Sequence, residues 1–191
     1  MGAMHAAISD GERAEPRENR WTAAGVELIL RERGWLTADE TASTESDERK
    51  WIARAAELLG PQSPDRETLA DLLSLCFHFD PVEILRSPAS HVVLAREGAR
   101  EVIRALALEL LSDASPVDSE RFRALIEALK QKTIHRGRAL FHPVRLALAG
   151  RVGEGALDRV ILLLDSAAGL PQLAPVKCTR ARILEFCAAV E

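Results

Sequence analysis

Apolar residues return at helical spacing along almost the whole chain, and that recurrence restricts the fold more than any other feature. Trp51, Ile52, Ala55, Leu58 and Leu59 fall at i, i+1, i+4, i+7 and i+8, one stripe on a 3.6-residue helix. Gly60-Pro61 stops that helix. Leu69, Leu72, Leu73 and Cys76 form the next stripe, with Thr68 as the expected N-cap and Asp71 three residues on as a variant capping box. Asp80-Pro81 reads as a cap followed by proline at the first helical position. Val102, Ile103, Leu106 and Leu110 follow Gly98; Phe122, Leu125, Ile126 and Leu129 share a face farther on; Leu157, Val160, Ile161 and Leu164 repeat the pattern. Ile183, Leu184, Cys187 and Val190 give the face of a last amphipathic helix, and Val26, Ile29 and Leu30 that of the first. No segment alternates with period two between hairpin turns. The expected fold is all-α, in two packed helical layers or subdomains.

Asp113-Ala114-Ser115-Pro116 is the expected internal boundary, dividing the chain into helical subdomains at 21–116 and 117–191. Residues 1–20 are charged and poor in large apolar side chains, and are expected to be a disordered leader. An acidic polar linker is expected from Thr37 to Glu48, and a loop rich in Pro and Gly from Ala167 to Pro175.

From Lys130 to Arg151 the chain carries six Lys/Arg and two His without one Asp or Glu, although its net charge is −4. A basic, Gly-terminated helical segment suits a phosphate-bearing or nucleic-acid partner; a solvated helix face is the alternative. Aromatics make up 4% of the chain and tyrosine is absent, too few for stacking successive bases on aromatic platforms. RNA recognition would then rest on Arg and Lys, helix ends and shape.

No catalytic constellation assembles from the sequence. Gly150, Gly153 and Gly155 give G-x-x-G-x-G, the reverse of the dinucleotide fingerprint and with no strand before it, which fits a turn between helices. Neither a Walker-type loop nor H-E-x-x-H occurs, and no cofactor or metal is called for. His78 and His91 are expected to be structural or on the surface. Cys76, Cys178 and Cys187 form no CxxC pair and are expected to be buried apolar thiols in a reducing, cytoplasmic setting. No run approaches the roughly 18 apolar residues of a membrane span. The sequence fixes no oligomeric state.

With these residues in view, the chain resembles the C-terminal, anticodon-binding region of bacterial-type glutamyl-tRNA synthetases. The stretch Leu140-Phe141-His142-Pro143-Val144-Arg145-Leu146-Ala147-Leu148-Ala149-Gly150-Arg151 is similar to the family signature L-F-x-P-[LV]-R-x-A-L-T-G-R. A glycine-containing turn and the leucine-rich segment Ala156 to Leu164 follow, as in the family. Upstream, Trp51 to Leu59 and Arg66 to Leu72 resemble the family's paired helices, and Gly34-Trp35-Leu36 its G-[LW]-L ending. The resemblance implies an α-helical cage of two subdomains that grips the anticodon stem and loop of tRNA-Glu or tRNA-Gln. It implies anticodon contacts by Arg145, then Arg151, Glu154 and Leu157, and a first-subdomain contact near Arg66. Ala149 stands where the family usually has Thr, and Gly153-Glu154-Gly155 replaces the commoner turn ending in Gly-Pro or Pro-Gly. The family's ATP-binding domain and its motifs are absent, so the chain is expected to be non-catalytic, either excised from a synthetase or a free-standing relative that serves a separate catalytic domain.

Helical geometry refines these expectations. Leu140, Phe141, Val144 and Leu148 share a face that anchors the segment, with Pro143 in its first turn. His142, Arg145 and Ala149 are expected to point the other way, setting the Arg145 guanidinium outward for a guanine edge or phosphate. Lys130, Lys132, Arg136 and Arg138 are the expected phosphate contacts, which position without specifying. Against this stands a second reading, a repurposed helical module that has lost tRNA binding and docks a protein, suggested by the acidic net charge, Ala149 and Glu154.

Overall fold

The computed structural model describes residues 20–37 and 46–190. Residues 1–19 of the expected leader and 38–45 of the expected linker lie outside the described residues. Among the described residues ten α-helices run in chain order: α1 (Ala23–Glu32), α2 (Asp47–Leu59), α3 (Arg66–Phe77), α4 (Pro81–Arg86), α5 (Pro88–Leu94), α6 (Ala99–Ser112), α7 (Ser119–Lys132), α8 (Arg138–Ala149), α9 (Ala156–Ala167) and α10 (Thr179–Val190). A short 3-10 turn, Gly60–Gln62, follows α2. Among the described residues the only extended pairing is one antiparallel bridge between Leu36 and Leu173, so the fold is all-α. None of these helices is long and apolar enough to cross a membrane.

The predicted stripes become one cluster of buried side chains that runs through both expected halves of the chain. Helix α9 packs on α2 and α3, while α6 packs on α7, α8 and α10. Trp51 ties α2 to α9, its indole Nε1 donating to the Leu163 carbonyl at 3.0 Å. Trp35 stacks on Phe77 with centroids 4.9 Å apart, closing the core beneath the end of α1. Asp165 on α9 clips two connections at once. Its carboxylate accepts from the Val117 N–H at 2.7 Å, just before α7, and from the Thr179 N–H at 2.7 Å, at the start of α10.

Helices α1, α2, α3, α4 and α7 each start behind a side chain that caps them. Asp80 accepts from the Val82 and Glu83 N–H groups with Pro81 at the first position, as the sequence predicts. Helix α3 differs: its N-cap is Asp65, whose carboxylate accepts from the Thr68 N–H at 2.8 Å, so Thr68 sits inside the first turn. That bond holds the Asp65 carboxyl below the usual carboxylate range. Helix α2 starts at Asp47 behind a Ser46 cap, so Glu48, expected in the linker, is helical and buried.

Helix α8 departs furthest from expectation. Gly137, at φ +53°, turns the chain so that its carbonyl accepts from Leu140 and Phe141, and the helix begins at Arg138. Pro143 therefore lies in the second turn rather than the first. His142 and every residue from Pro143 to Ala149 are buried, because α5, α6, α9 and α10 all pack against this one helix. The outward face expected for His142, Arg145 and Ala149 does not exist; Phe141, expected in the core, is half-buried instead. Gly150, at φ +74°, ends α8 as expected and lies so close to Ile84 that a Cβ there would meet its Cδ1 at 2.9 Å.

The last helix also turns differently. Leu184 is exposed, whereas Arg182 and Phe186 are buried. Cys76 is buried in the core, and burial pushes its thiol up to about 12, which keeps it protonated and inert. Cys178 and Cys187, expected to be buried as well, are only half-buried. His78 and His91 are on the surface.

His142 is 9% exposed, its Nε2 has no hydrogen-bond partner, and its Nδ1 lies 3.4 Å from Arg96 Nη1. Burial first, then the charges of Arg96 and Arg145, hold its pKa below the ordinary 6.5. The unfolded chain thus binds a proton at a higher pH than the folded one does. The stability linked to neutral His142 is complete above pH 6.5 and falls as pH drops through the interval below it. The substitution His142→Met is expected to match or exceed the parent's stability at pH 7.5 and to flatten the loss between pH 7 and pH 5. Thermal melts at both pH values check this; an unchanged acid slope contradicts it.

Candidate functional site

The turn between α8 and α9 gathers the residues of the sequence signature. Arg145, 7% exposed, donates from Nε and Nη2 to the two oxygens of Asp158, both at 2.7 Å, and from Nη1 to the Gly153 carbonyl at 2.8 Å. Its guanidinium carbon lies 5.0 Å from the centre of the Phe141 ring. The expected outward guanidinium is thus corrected: with α8 surrounded, the charge is satisfied internally by the first turn of α9. Leu157 is 4% exposed and packs under Gly153, so it supports the turn from inside rather than facing a ligand.

The other predicted cations are on the surface and engaged. Arg138 and Glu154, each 77% exposed, approach to 3.5 Å across the turn. Arg151 reaches back to Asp71 on α3, Nη2 to Oδ1 at 2.9 Å, and holds that carboxyl below its usual range. Arg66 pairs with Glu32, Lys132 with Glu109, and Lys130 with Glu127 at 2.7 Å. Arg136 folds back onto the end of α7, donating to the carbonyls of Lys130, Thr133 and His135. Acid-free in sequence, the basic run is met in space by carboxylates from α3, α6, α7 and α9. Such exposed pairs contribute about 0–1 kcal/mol each, so an incoming phosphate can replace the carboxylate at little cost.

Beside this turn, α7, α8 and α9 and the turn after α2 enclose a cleft of about 480 Å³. Its walls include Phe122, Ile126, Phe141 and Leu162, with Arg123, Lys130 and Arg159 opposed by Glu127 and Asp158. Phe122 and Phe141 are half-buried and each leaves part of a ring open to the cleft. Arg123 and Arg159 are exposed, and neither has an ion pair or hydrogen bond to any described residue. Sequence reasoning missed both. Arg123 follows Phe122 of the stripe shared with Leu125, Ile126 and Leu129, and Arg159 sits inside a leucine-rich stripe beside its acidic neighbour, so neither stands out in the sequence. Of the predicted residues, Lys130 alone lines the cleft; Arg145 reaches its wall through Asp158, and Arg138, Glu154 and Leu157 belong to the adjoining turn. Arg66 starts α3 and Arg151, just after α8, pairs with Asp71 of α3, while Lys132 ends α7 and Arg136 lies just beyond it.

The model of the family described as anticodon binding domain matches residues 23–167, which includes every wall of this cleft. The chain belongs to that family. Curated relatives agree. A glutamate–tRNA ligase of Bacillus licheniformis is 29% identical over 126 residues, 66% of this chain and 25% of the relative. The Bacillus subtilis ligase is 27% identical over 130 residues, 67% of this chain and 26% of the relative. Glutamate–tRNA ligase 2 of Syntrophus aciditrophicus is 32% identical over 119 residues, 61% of this chain and 23% of the relative. The chain therefore spans about a quarter of the length of the relatives it matches. No solved structure matches it significantly. In this anticodon-binding domain, the expected signature residues Arg145 and Leu157 build the floor of the turn, while unpaired arginines from α7 and α9 face the open cleft.

Proposed function

We propose that this chain binds the anticodon stem-loop of tRNA-Glu or tRNA-Gln and carries out no catalysis itself, serving a glutamate–tRNA ligase catalytic domain in the same protein or alongside it. The observation that carries this reading is the pair of unpartnered arginines, Arg123 and Arg159, in a cleft with two half-open aromatic rings. Phosphates flanking the anticodon take these guanidinium groups and Lys130, and one unstacked base lies against Phe122 or Phe141. Arg138, Arg151, Lys132 and Arg66 exchange their surface carboxylates for backbone phosphates farther along the stem, and Arg136 adds charge beside them. Volume supports the reading, since about 480 Å³ falls within the usual range for a small bound group.

Titration of labelled tRNA at several salt concentrations tests it. Binding is expected at low salt, with the logarithm of affinity falling linearly as salt rises, by roughly 0.7 to 0.9 per phosphate contacted. Absence of binding at low salt overturns the reading. The protein-docking alternative draws on one specific observation, that acidic side chains already neutralise most of the basic run. Recovery of a protein partner that survives RNase and high salt, with no tRNA recovered, would favour it.

A further inference from the structure

The wall of the cleft holds a carboxylate fixed at both oxygens. Asp158 accepts one bond from Arg145 at each oxygen, at 2.7 Å, yet its side chain remains 21% exposed and lines the cleft together with Phe141 and Arg159. An ionised carboxylate has roughly four acceptor sites and no donor, so the two taken by Arg145 leave acceptors directed elsewhere. Glu127 is 57% exposed and bonded to Lys130 on the surface, and Glu154 is 77% exposed. Neither is held at two points. A group that reads a base must keep its position before the base arrives, and among these acids only Asp158 is braced in that way.

We infer that Asp158 is the base-reading acceptor of the cleft and Arg145 its positioning residue, selecting a nucleobase that presents an exocyclic amino group; this rests on the RNA-binding reading above. The amino group of cytosine donates to the free lone pairs of the carboxylate. Uracil places a carbonyl oxygen at the same point, setting acceptor against acceptor. The flat Phe141 ring, held beneath the Arg145 guanidinium, supports the base from one side. Arg145 and Arg159 offset the negative charge that would otherwise repel the RNA backbone. Arg145 thus acts through Asp158 and the Gly153 carbonyl without touching RNA.

The test uses anticodon stem-loops that differ only by cytosine or uracil at one anticodon position at a time, bound to the parent protein, Asp158→Asn and Arg145→Lys. The parent is expected to prefer cytosine over uracil at one position by about tenfold. Asp158→Asn, which keeps the shape and adds a donor, is expected to remove most of that preference with an unchanged salt slope, because no phosphate contact is lost. Arg145→Lys, which keeps the charge but loses the two-pronged fork, is expected to weaken the preference in the same way. Thermal melts identify any variant that has lost its fold. If the parent binds stem-loops without preference, if Asp158→Asn keeps the full preference, or if the salt slope falls, the inference fails while RNA binding stands. If the parent binds no stem-loop, both fail.

Discussion

Replacing Arg182 by methionine is expected to destabilise the protein by about 3–5 kcal/mol, a large share of the roughly 5–15 kcal/mol that a domain has. This guanidinium is fully buried, and it donates to Lys177 O at 3.0 Å, Leu148 O at 2.9 Å and Cys76 O at 2.6 Å. Leu148 and Cys76 lie in the last turns of α8 and α3, where carbonyls have no donor within their own helix and the helix dipole is negative. One side chain thus terminates two helices and anchors α10, with its charge 4.6 Å from the centre of the Phe79 ring. Burial pushes its pKa down to about 10, so it remains charged at neutral pH. Methionine fills much of the space but leaves the buried carbonyls of Leu148 and Cys76, and the partly buried one of Lys177, without this donor. Arg182→Lys restores charge but cannot reach all three, and its stability should fall between the two. Denaturant unfolding measures both; a change below about 1 kcal/mol for Arg182→Met contradicts this account.

The largest effect on binding is expected from reversing Arg123 and Arg159 together to glutamate. Both are exposed and neither holds another residue, so the melting temperature should stay within a degree or two of the parent. Affinity for tRNA should fall by well over tenfold at low salt, and the log–log salt slope should shrink by about 1.5 units, the share of two phosphates. Equal reversal of Lys132 and Arg136, away from the cleft, should cost less. Equal losses from both pairs would show a diffuse electrostatic surface instead of a site in the cleft.

Much of the fold was legible because helix formation is local. The stripe from Trp51 to Leu59, the Asp80-Pro81 start and the Gly150 stop depend on neighbours a few residues away, and all appear where expected. The capping of α3 was misplaced because Asp65 and Thr68 are both good caps, and only the backbone decides which is extended. The burial of Arg145 is hidden in the sequence for a different reason. A sequence shows which residues share a face of α8 but not that four other helices cover the remaining faces. Its partner Asp158 lies thirteen positions on, in another helix. The acid-free run misled in the same way, since Asp71, Glu109 and Asp158 return to it only through tertiary packing. Arg182 stands next to Ile183 and one turn before Phe186, and the face it shares with them, not the one expected from Leu184 and Cys187, is the buried one in α10.

On the proposed reading, the cleft between α7, α8 and α9 receives an anticodon loop. Competition against labelled tRNA with isolated hairpins, one carrying the anticodon arm and one the acceptor arm of the same tRNA, addresses it directly. The anticodon hairpin should displace nearly all the bound tRNA at a concentration close to that of intact tRNA, and the acceptor hairpin should need far more. Displacement by the acceptor hairpin alone, or by both equally, would contradict the account.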